Sequence, residues 1–324
     1  MNKTLFLFVL STIFFFSCDK KIDTKLRRAN GKINTISVII DDQLWNGEVG
    51  DSIRNKFASP VIGLPNEEPL FTINQYPAKL MEGFITDSRI IIVVKKEDKN
   101  EFSWTKNQYA TPQNLFHISG KTATEILKIL QTRASQIIEI SKETEIAETQ
   151  RKTNFSLLNV AKITKAFHIS LKVPSSFLYC NQNTNFIWLK KEIPSGNSSI
   201  LIYQVPLSTF KKGENNIKNI IKMRDSIGKL YISGTESDTN MITEEGYAPY
   251  LFKLKLAGKE TFETKGTWEL KNDFMSGPFI NYAILDKEHN RVLVLEGFCY
   301  SPSKEVRDLR HELESIIKSI KILK

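Results

Sequence analysis

Four strand-like segments follow one another late in the chain with no helical stretch between them: "YLFKLKLAG", "ETFETKGTWEL", "FINYAILDKEHN" and "RVLVLEGFCY". Strands joined by short turns pair antiparallel, whereas parallel neighbours need a long crossover. This run therefore excludes a regular βαβ alternation and calls for an α+β fold. Just upstream, "NFIWLKKE" and "SILIYQVPL" read as a hairpin around "IPSGNSS". Helices flank these strands. "NIKNIIKMRDSIGK" turns Ile217, Ile220 and Ile221 inward. Val306, Leu309, Leu313, Ile316, Ile317 and Ile320 form the stripe of a last helix, which is expected to start after Pro302 with Ser303 as its N-cap.

The first half carries its own core. "INTISVII" and "RIIIVVKKE" are too apolar to be half-exposed and read as buried strands, the second a central one. Val49, Ile53 and Phe57 recur at helical spacing, so a short helix begins near Gly47 with Asp41 or Asn46 as its cap. Residues 97–118, polar with scattered aromatics, read as an excursion from the core. In "TATEILKILQTRASQIIEI", Ile126, Leu127, Leu130, Ala134, Ile137 and Ile138 share one face, and Thr122 with Glu125 forms a capping box. The charged "SKETEIAETQRKTN" then interrupts the apolar pattern and places a domain boundary near residue 150. With 324 residues there is room for two domains. The expectation is two α+β domains, 33–150 and 151–324, each a mostly antiparallel sheet packed with amphipathic helices.

The N-terminus has a targeting layout. Lys3 precedes an apolar run from Leu5 to Phe16, and small Ser17 precedes Cys18. That run is shorter than the ~20 residues a membrane span needs. The pattern resembles bacterial lipoprotein signals, which implies cleavage after residue 17 and diacylation of Cys18. Residues 18–32 then form a basic tether, with the membrane contacted through the N-terminal lipid. Asp19 is followed by Lys20 and Lys21, which favours the periplasmic side of the outer membrane. The remaining cysteines, Cys180 and Cys299, are either two free thiols or a candidate disulfide in an exported protein.

Net charge is +9, but residues 1–32 hold seven basic and two acidic side chains, against 38 and 34 in the remainder. The folded part is only mildly basic and shows no nucleic-acid-binding module, so no nucleic-acid partner is expected. Neither a G-x-S-x-G elbow nor a phosphate-binding glycine loop is present. The four histidines lack a second ligand at metal-binding spacing, so neither metal nor cofactor is expected. Three adjacent carboxylate pairs occur: Asp41-Asp42, Glu67-Glu68 and Glu244-Glu245. Adjacent residues on a strand point to opposite faces, so adjacency alone makes no acid/base pair. Asp41 and Asp42 beside Trp45 read either as a helix cap and staple with Trp45 packed in the core, or as a candidate binding constellation, since an aromatic face with carboxylates suits a glycan. "MSGPF", Met275 to Phe279, is a turn with room to line a groove.

The string "VIIDDQLWNGEVGDSIRNKFASPVIGLPNEEPLF" resembles a family of exported Bacteroidetes lipoproteins, domain of unknown function 4837. Asp41-Asp42, Leu44-Trp45, Gly47 to Gly50, Arg54, Gly63-Leu64-Pro65 and Glu68-Pro69 carry the resemblance. "GTWELKNDFMSGPFINY" and "CYSPSKEVRDLRHELESI" fit the same family, so the resemblance spans nearly the whole chain after Cys18. It implies an envelope lipoprotein without an assigned activity. The second half also resembles a PsbP-type α/β sandwich in element order, which implies a fold without its own catalysis. Candidate binding residues are then Asp41, Asp42, Trp45, Arg54 and Glu68. The expected function is a lipid-anchored, non-catalytic binding or assembly module for an envelope protein or glycan. The alternative is an envelope enzyme acting on glycans through Asp41, Asp42 and Glu68.

Overall fold

A computed structural model describes residues 26–80, 82–210 and 216–323. The leader, Cys18 and the first part of the tether lie outside the described residues. The chain is an α+β protein of two domains.

The first domain contains β1 (Thr35–Ile40), α1 (Asp42–Trp45), α2 (Glu48–Phe57), β2 (Thr72–Tyr76), β3 (Ile90–Lys96), β4 (Glu101–Lys106), β5 (Asn114–Gly120) and α3 (Ala123–Thr153). Its sheet has the order β2-β1-β3-β5-β4. Only β4–β5 is antiparallel; β1–β2, β1–β3 and β3–β5 run parallel. The sheet of this domain is therefore mostly parallel, not mostly antiparallel as expected. The links 41–71 and 77–89 are long enough to return the chain to the same sheet end before the next strand begins. Strand β3 is central, as its apolar run predicts. Residues 97–118 are no excursion, because they supply β4 and most of β5. There Phe102 and Trp104 stack on Phe116 with centroids 6.4 and 6.2 Å apart.

Ile36, Val38, Ile40, Ile90, Ile92, Val94, Phe116 and Ile118 meet Val49, Ile53 and Phe57 of α2 and Ile126, Leu130 and Ile137 of α3 in one core. The Thr122–Glu125 capping box forms as read. The charged segment does not end α3, which runs for 31 residues, about 46 Å. Its second half buries Ser141, Glu145 and Glu148. Arg89 Nε donates to Glu145 at 3.0 Å, and Arg28 and Arg151 both reach Glu148. The two carboxylates are buried here because Arg89 and Arg28 from other segments await them.

The second domain contains α4 (Ala161–Phe167), β6 (Leu178–Gln182), β7 (Phe186–Ile193), β8 (Gly196–Pro206), α5 (Asn216–Tyr231), β9 (Met241–Thr243), β10 (Tyr250–Leu256), β11 (Lys259–Leu270), β12 (Ser276–Asp286), β13 (Arg291–Tyr300) and α6 (Arg307–Ile317). Its eight strands form one sheet of order β9-β11-β12-β13-β8-β7-β6, with β10 also on β11. Every pair is antiparallel, and the short links require this of those consecutive in the chain. Alternate residues feed two cores. Ile187, Ile200, Ile202, Ile280, Ile284 and Leu293 face α4 and α6. Phe186, Leu201, Tyr203, Phe279, Ala283 and Val294 face α5. Helices thus cover both faces of the sheet. Cys180 and Cys299 are separate thiols, not a disulfide. Cys180 is exposed on β6, and β7 and β8 lie between it and Cys299 on β13. Burial pushes the Cys299 thiol up to about 12.

Candidate functional site at the domain seam

The domains meet through polar contacts centred on α6. Residues 58–70 form a closed loop, with Val61 and Glu68 joined at 2.9 Å and Leu70 and Ser59 at 2.8 Å. The Glu68 carboxylate turns inward. Its oxygens accept from the backbone N–H groups of Val306 at 2.8 Å and Arg307 at 2.7 Å. The last helix is therefore capped from the other domain. Ser303 is not its cap: Val306 holds that position and makes no side-chain cap bond. Arg307 in turn donates to Pro69 O at 2.9 Å, and Arg310 to Ile62 O at 2.6 Å. Gly63, at φ +76°, presses the loop against β11, where an added Cβ would lie 2.9 Å from Lys265 Cβ. Farther along the seam, Asn34 donates to Asp308 at 3.0 Å, Gln150 to Ser315 O at 2.9 Å, and Thr149 meets His311 Nε2 at 3.0 Å.

The other sequence candidates do not gather with Glu68. Asp41 is exposed at the N-cap of α1 with no side-chain cap bond. Asp42 accepts from Gln75 at 3.2 Å. Arg54 stacks 4.5 Å over Trp45, donates to Trp45 O at 3.3 Å and pairs with Asp51 at 2.7 Å. Gly50 lies under this unit so closely that a Cβ would stand 1.8 Å from Trp45 O. Trp45 and Arg54 together brace the α1–α2 corner; α2 itself starts from Gly47 without a side-chain cap.

A groove of about 580 Å³ opens where the 60–67 loop of the first domain faces the Glu244–Tyr250 segment and β11 of the second. Glu67, Glu244 and Glu269 line it, with Tyr247, Tyr250 and Ser276. Tyr247 is 79% exposed and Tyr250 54%. No lysine or arginine lines it, in a chain with 45 of them. The adjacent pairs Glu67-Glu68 and Glu244-Glu245 are split by the backbone: Glu67 and Glu244 enter the groove, while Glu68 caps α6. Sequence reading missed this site because its walls come from opposite domains. The signal available was the set of segments that carried the family resemblance, since Gly63-Leu64-Pro65, Gly266 to Glu269 and Ser276 converge there. A second seam groove of about 710 Å³ mixes Lys32 and Lys152 with Glu305, Asp308 and Glu312, and so has no single charge preference. Among the described residues, no group of three or more His, Cys, Asp or Glu converges as a metal site.

His311 lies at this seam, and burial lowers its pKa against the pull of Glu314 and Asp308. The unfolded chain then binds a proton near pH 6.5 that the folded chain refuses. Stability should fall as pH drops from about 6.5 through the lower folded value. Denaturant unfolding at pH 7.5 and 5.5 checks this. His311→Asn should shrink the loss relative to wild type, and an equal loss in both would refute the assignment.

Two family models match the chain. One, a domain of unknown function, DUF4837, covers residues 156–319. The chain belongs to the DUF4837 family. Residues 29–154 match a separate model, DUF8532, also a domain of unknown function. The N-terminal string read as part of the first family thus falls under the second. No curated protein matches the chain. Among solved structures, the chain is similar to LpqN, described as involved in cell envelope biogenesis of Mycobacterium tuberculosis. That likeness has 13% identity and a TM-score of 0.29, covering 48% of this chain and 83% of LpqN. No helix among the described residues is long and apolar enough to cross a membrane.

Proposed function

We propose that this DUF4837 protein is an exported, lipid-anchored envelope protein, on the periplasmic side of the outer membrane. In this reading it works as a non-catalytic binding or assembly module that holds a positively charged segment of a partner protein in the seam groove. The anchor rests on Lys3, the Leu5–Phe16 run, Ser17 and Cys18. The binding role rests on one observation: three carboxylates and two exposed tyrosines share a concave surface without any basic side chain. Such a wall attracts cations and rejects anions. Exposed tyrosines supply contact area at low entropic cost and are common binding anchors. The glycan-enzyme alternative gains nothing from Glu68, whose two oxygens are both taken by backbone N–H groups.

Metabolic labelling with a fatty acid should mark the wild type and fail for Cys18→Ala. For the groove, the lipidated protein is used to capture partners from solubilised envelope. A Glu244→Lys/Tyr247→Ala variant should lose the captured protein while its melting temperature stays within about 2 °C, because Tyr247 is exposed and the half-buried Glu244 carboxylate forms no ion pair with a described residue. Equal recovery by the variant, or release of the captured material by soluble glycan in place of salt, would overturn the basic-partner reading.

A further inference from the structure

Behind the groove loop lies a second, smaller feature. A cavity of about 60 Å³ is walled by Asn34, Lys142 and Ile146 of the first domain and Lys265, Arg310 and Glu314 of the second, with Arg307 and His311 alongside. Most of its charged groups are already committed. Arg307 is paired with Asp308 at 2.9 Å, Lys265 with Glu263 at 2.9 Å, and Glu314 with Lys318 at 2.6 Å. Burial alone would raise the Glu314 carboxyl, but Lys318, Lys265 and Arg310 override it and hold it ionised, well below the usual range.

Two cations remain. Arg310 is only 6% exposed, and the single hydrogen bond of its guanidinium to a described residue is the one to Ile62 O. Lys142, on the second half of α3, forms neither a hydrogen bond nor an ion pair with a described residue. A guanidinium taken out of water needs both hydrogen-bond acceptors and negative charge. Water filling the cavity would satisfy the first need; the second is met only in part, because the nearby Glu314 and Glu263 already pair with Lys318 and Lys265. Burial together with the neighbouring Lys265, Lys318 and Arg310 also depresses the Lys142 ammonium against the pull of Glu314, as expected where cations outnumber carboxylates.

We propose that this cavity binds a small inorganic oxyanion, phosphate or sulfate, between the fork of Arg310 and the ammonium of Lys142. The size limits the ligand. By the measure in which one water takes ~10–15 Å³, the cavity holds a few waters or one tetrahedral anion. A sugar or nucleotide is too large. Arg310 offers planar, paired donors and Lys142 a point charge, a combination suited to a phosphate-like group. Lys142 is an exposed residue, which leaves a route from solvent. The bound anion would join α3 of one domain to α6 and the 60–69 loop of the other, so it acts as a clamp on the seam that shapes the groove.

Thermal unfolding of the full chain, titrated with sodium phosphate against sodium chloride at matched ionic strength and pH, tests this. A ligand that binds only the folded state raises the melting temperature with the logarithm of its concentration. Wild type should show that rise in phosphate and in sulfate, and none in chloride. Lys142→Gln, on the exposed helix surface, should fold normally and weaken the apparent affinity about tenfold, the worth of one charge-assisted contact. Arg310→Gln should abolish the rise, and Lys121→Gln should leave it intact. An equal rise in chloride, or a Lys142→Gln protein that titrates like wild type, would overturn the proposal. The result is independent of partner capture by the groove, so either reading can fail alone.

Discussion

Arg224→Met is expected to destabilise the second domain by about 3–5 kcal/mol, the cost of leaving a buried carboxylate without its partner. Arg224 on α5 and Glu296 on β13 are each 1% exposed. The guanidinium reaches Glu296 through Nε at 2.9 Å and Nη2 at 2.8 Å, and Thr243 through Nη1 at 2.5 Å. It also stacks 3.7 Å over Phe279, and Asn281 donates to Glu296 Oε2 at 2.8 Å. One side chain thus binds α5, β9, β12 and β13 together. Removing it leaves the buried Glu296 carboxylate with Asn281 as its remaining donor. The double change Arg224→Met/Glu296→Met should cost less than Arg224→Met alone, because no orphaned charge remains and the volume stays filled. Urea unfolding of the wild type, both single variants and the double variant measures the cycle. A double variant as unstable as the sum of the singles would show that the pair contributes through packing alone.

Glu68→Ala should be the next largest effect, at about 2–4 kcal/mol. It leaves two backbone N–H groups of α6 without acceptors and removes a negative charge from the positive end of that helix. Glu68→Gln keeps the shape but offers one acceptor to two donors, so it should cost less than Glu68→Ala and more than a surface change. Ser303→Ala should cost under about 0.5 kcal/mol, because the cap comes from Glu68. Since Glu68 belongs to the other domain, its loss should also loosen the seam. We expect one unfolding transition in wild type and two in Glu68→Ala, followed by calorimetry. A Ser303→Ala protein as unstable as Glu68→Ala would restore the local cap.

Much of the fold was legible because it depends on short-range rules. The β-branched runs placed β1 and β3. Thr122 and Glu125 placed the start of α3, since both partners of the capping box lie within one turn. Four strands with short links dictated the antiparallel sheet of the second domain. Elsewhere the reading failed where a polar residue's partner came from far along the chain. The segment 141–154 read as a break in the apolar pattern because it is charged. It is helix because Arg28 and Arg89 pair with its carboxylates and α6 accepts from its Gln150 amide. Parallel pairing in the first domain escaped notice for a similar reason: pairing direction depends on where a crossover returns the chain, and residue type does not record that.

The candidate site divides along the same line. The sequence by itself determined that Glu67-Glu68 and Glu244-Glu245 exist, that strand geometry sends adjacent side chains apart, and that basic residues dominate the N-terminal segment. Only the tertiary structure decided which carboxylate does what. Glu68 turned inward because α6 presents two unpaired N–H groups there, and a buried donor must find an acceptor. That left Glu67 facing outward, opposite Glu244 and Glu269 of a domain that begins some ninety residues later. A groove made of two domains is a property of their docking, and docking is set by long-range hydrogen bonds that no local pattern in the chain encodes.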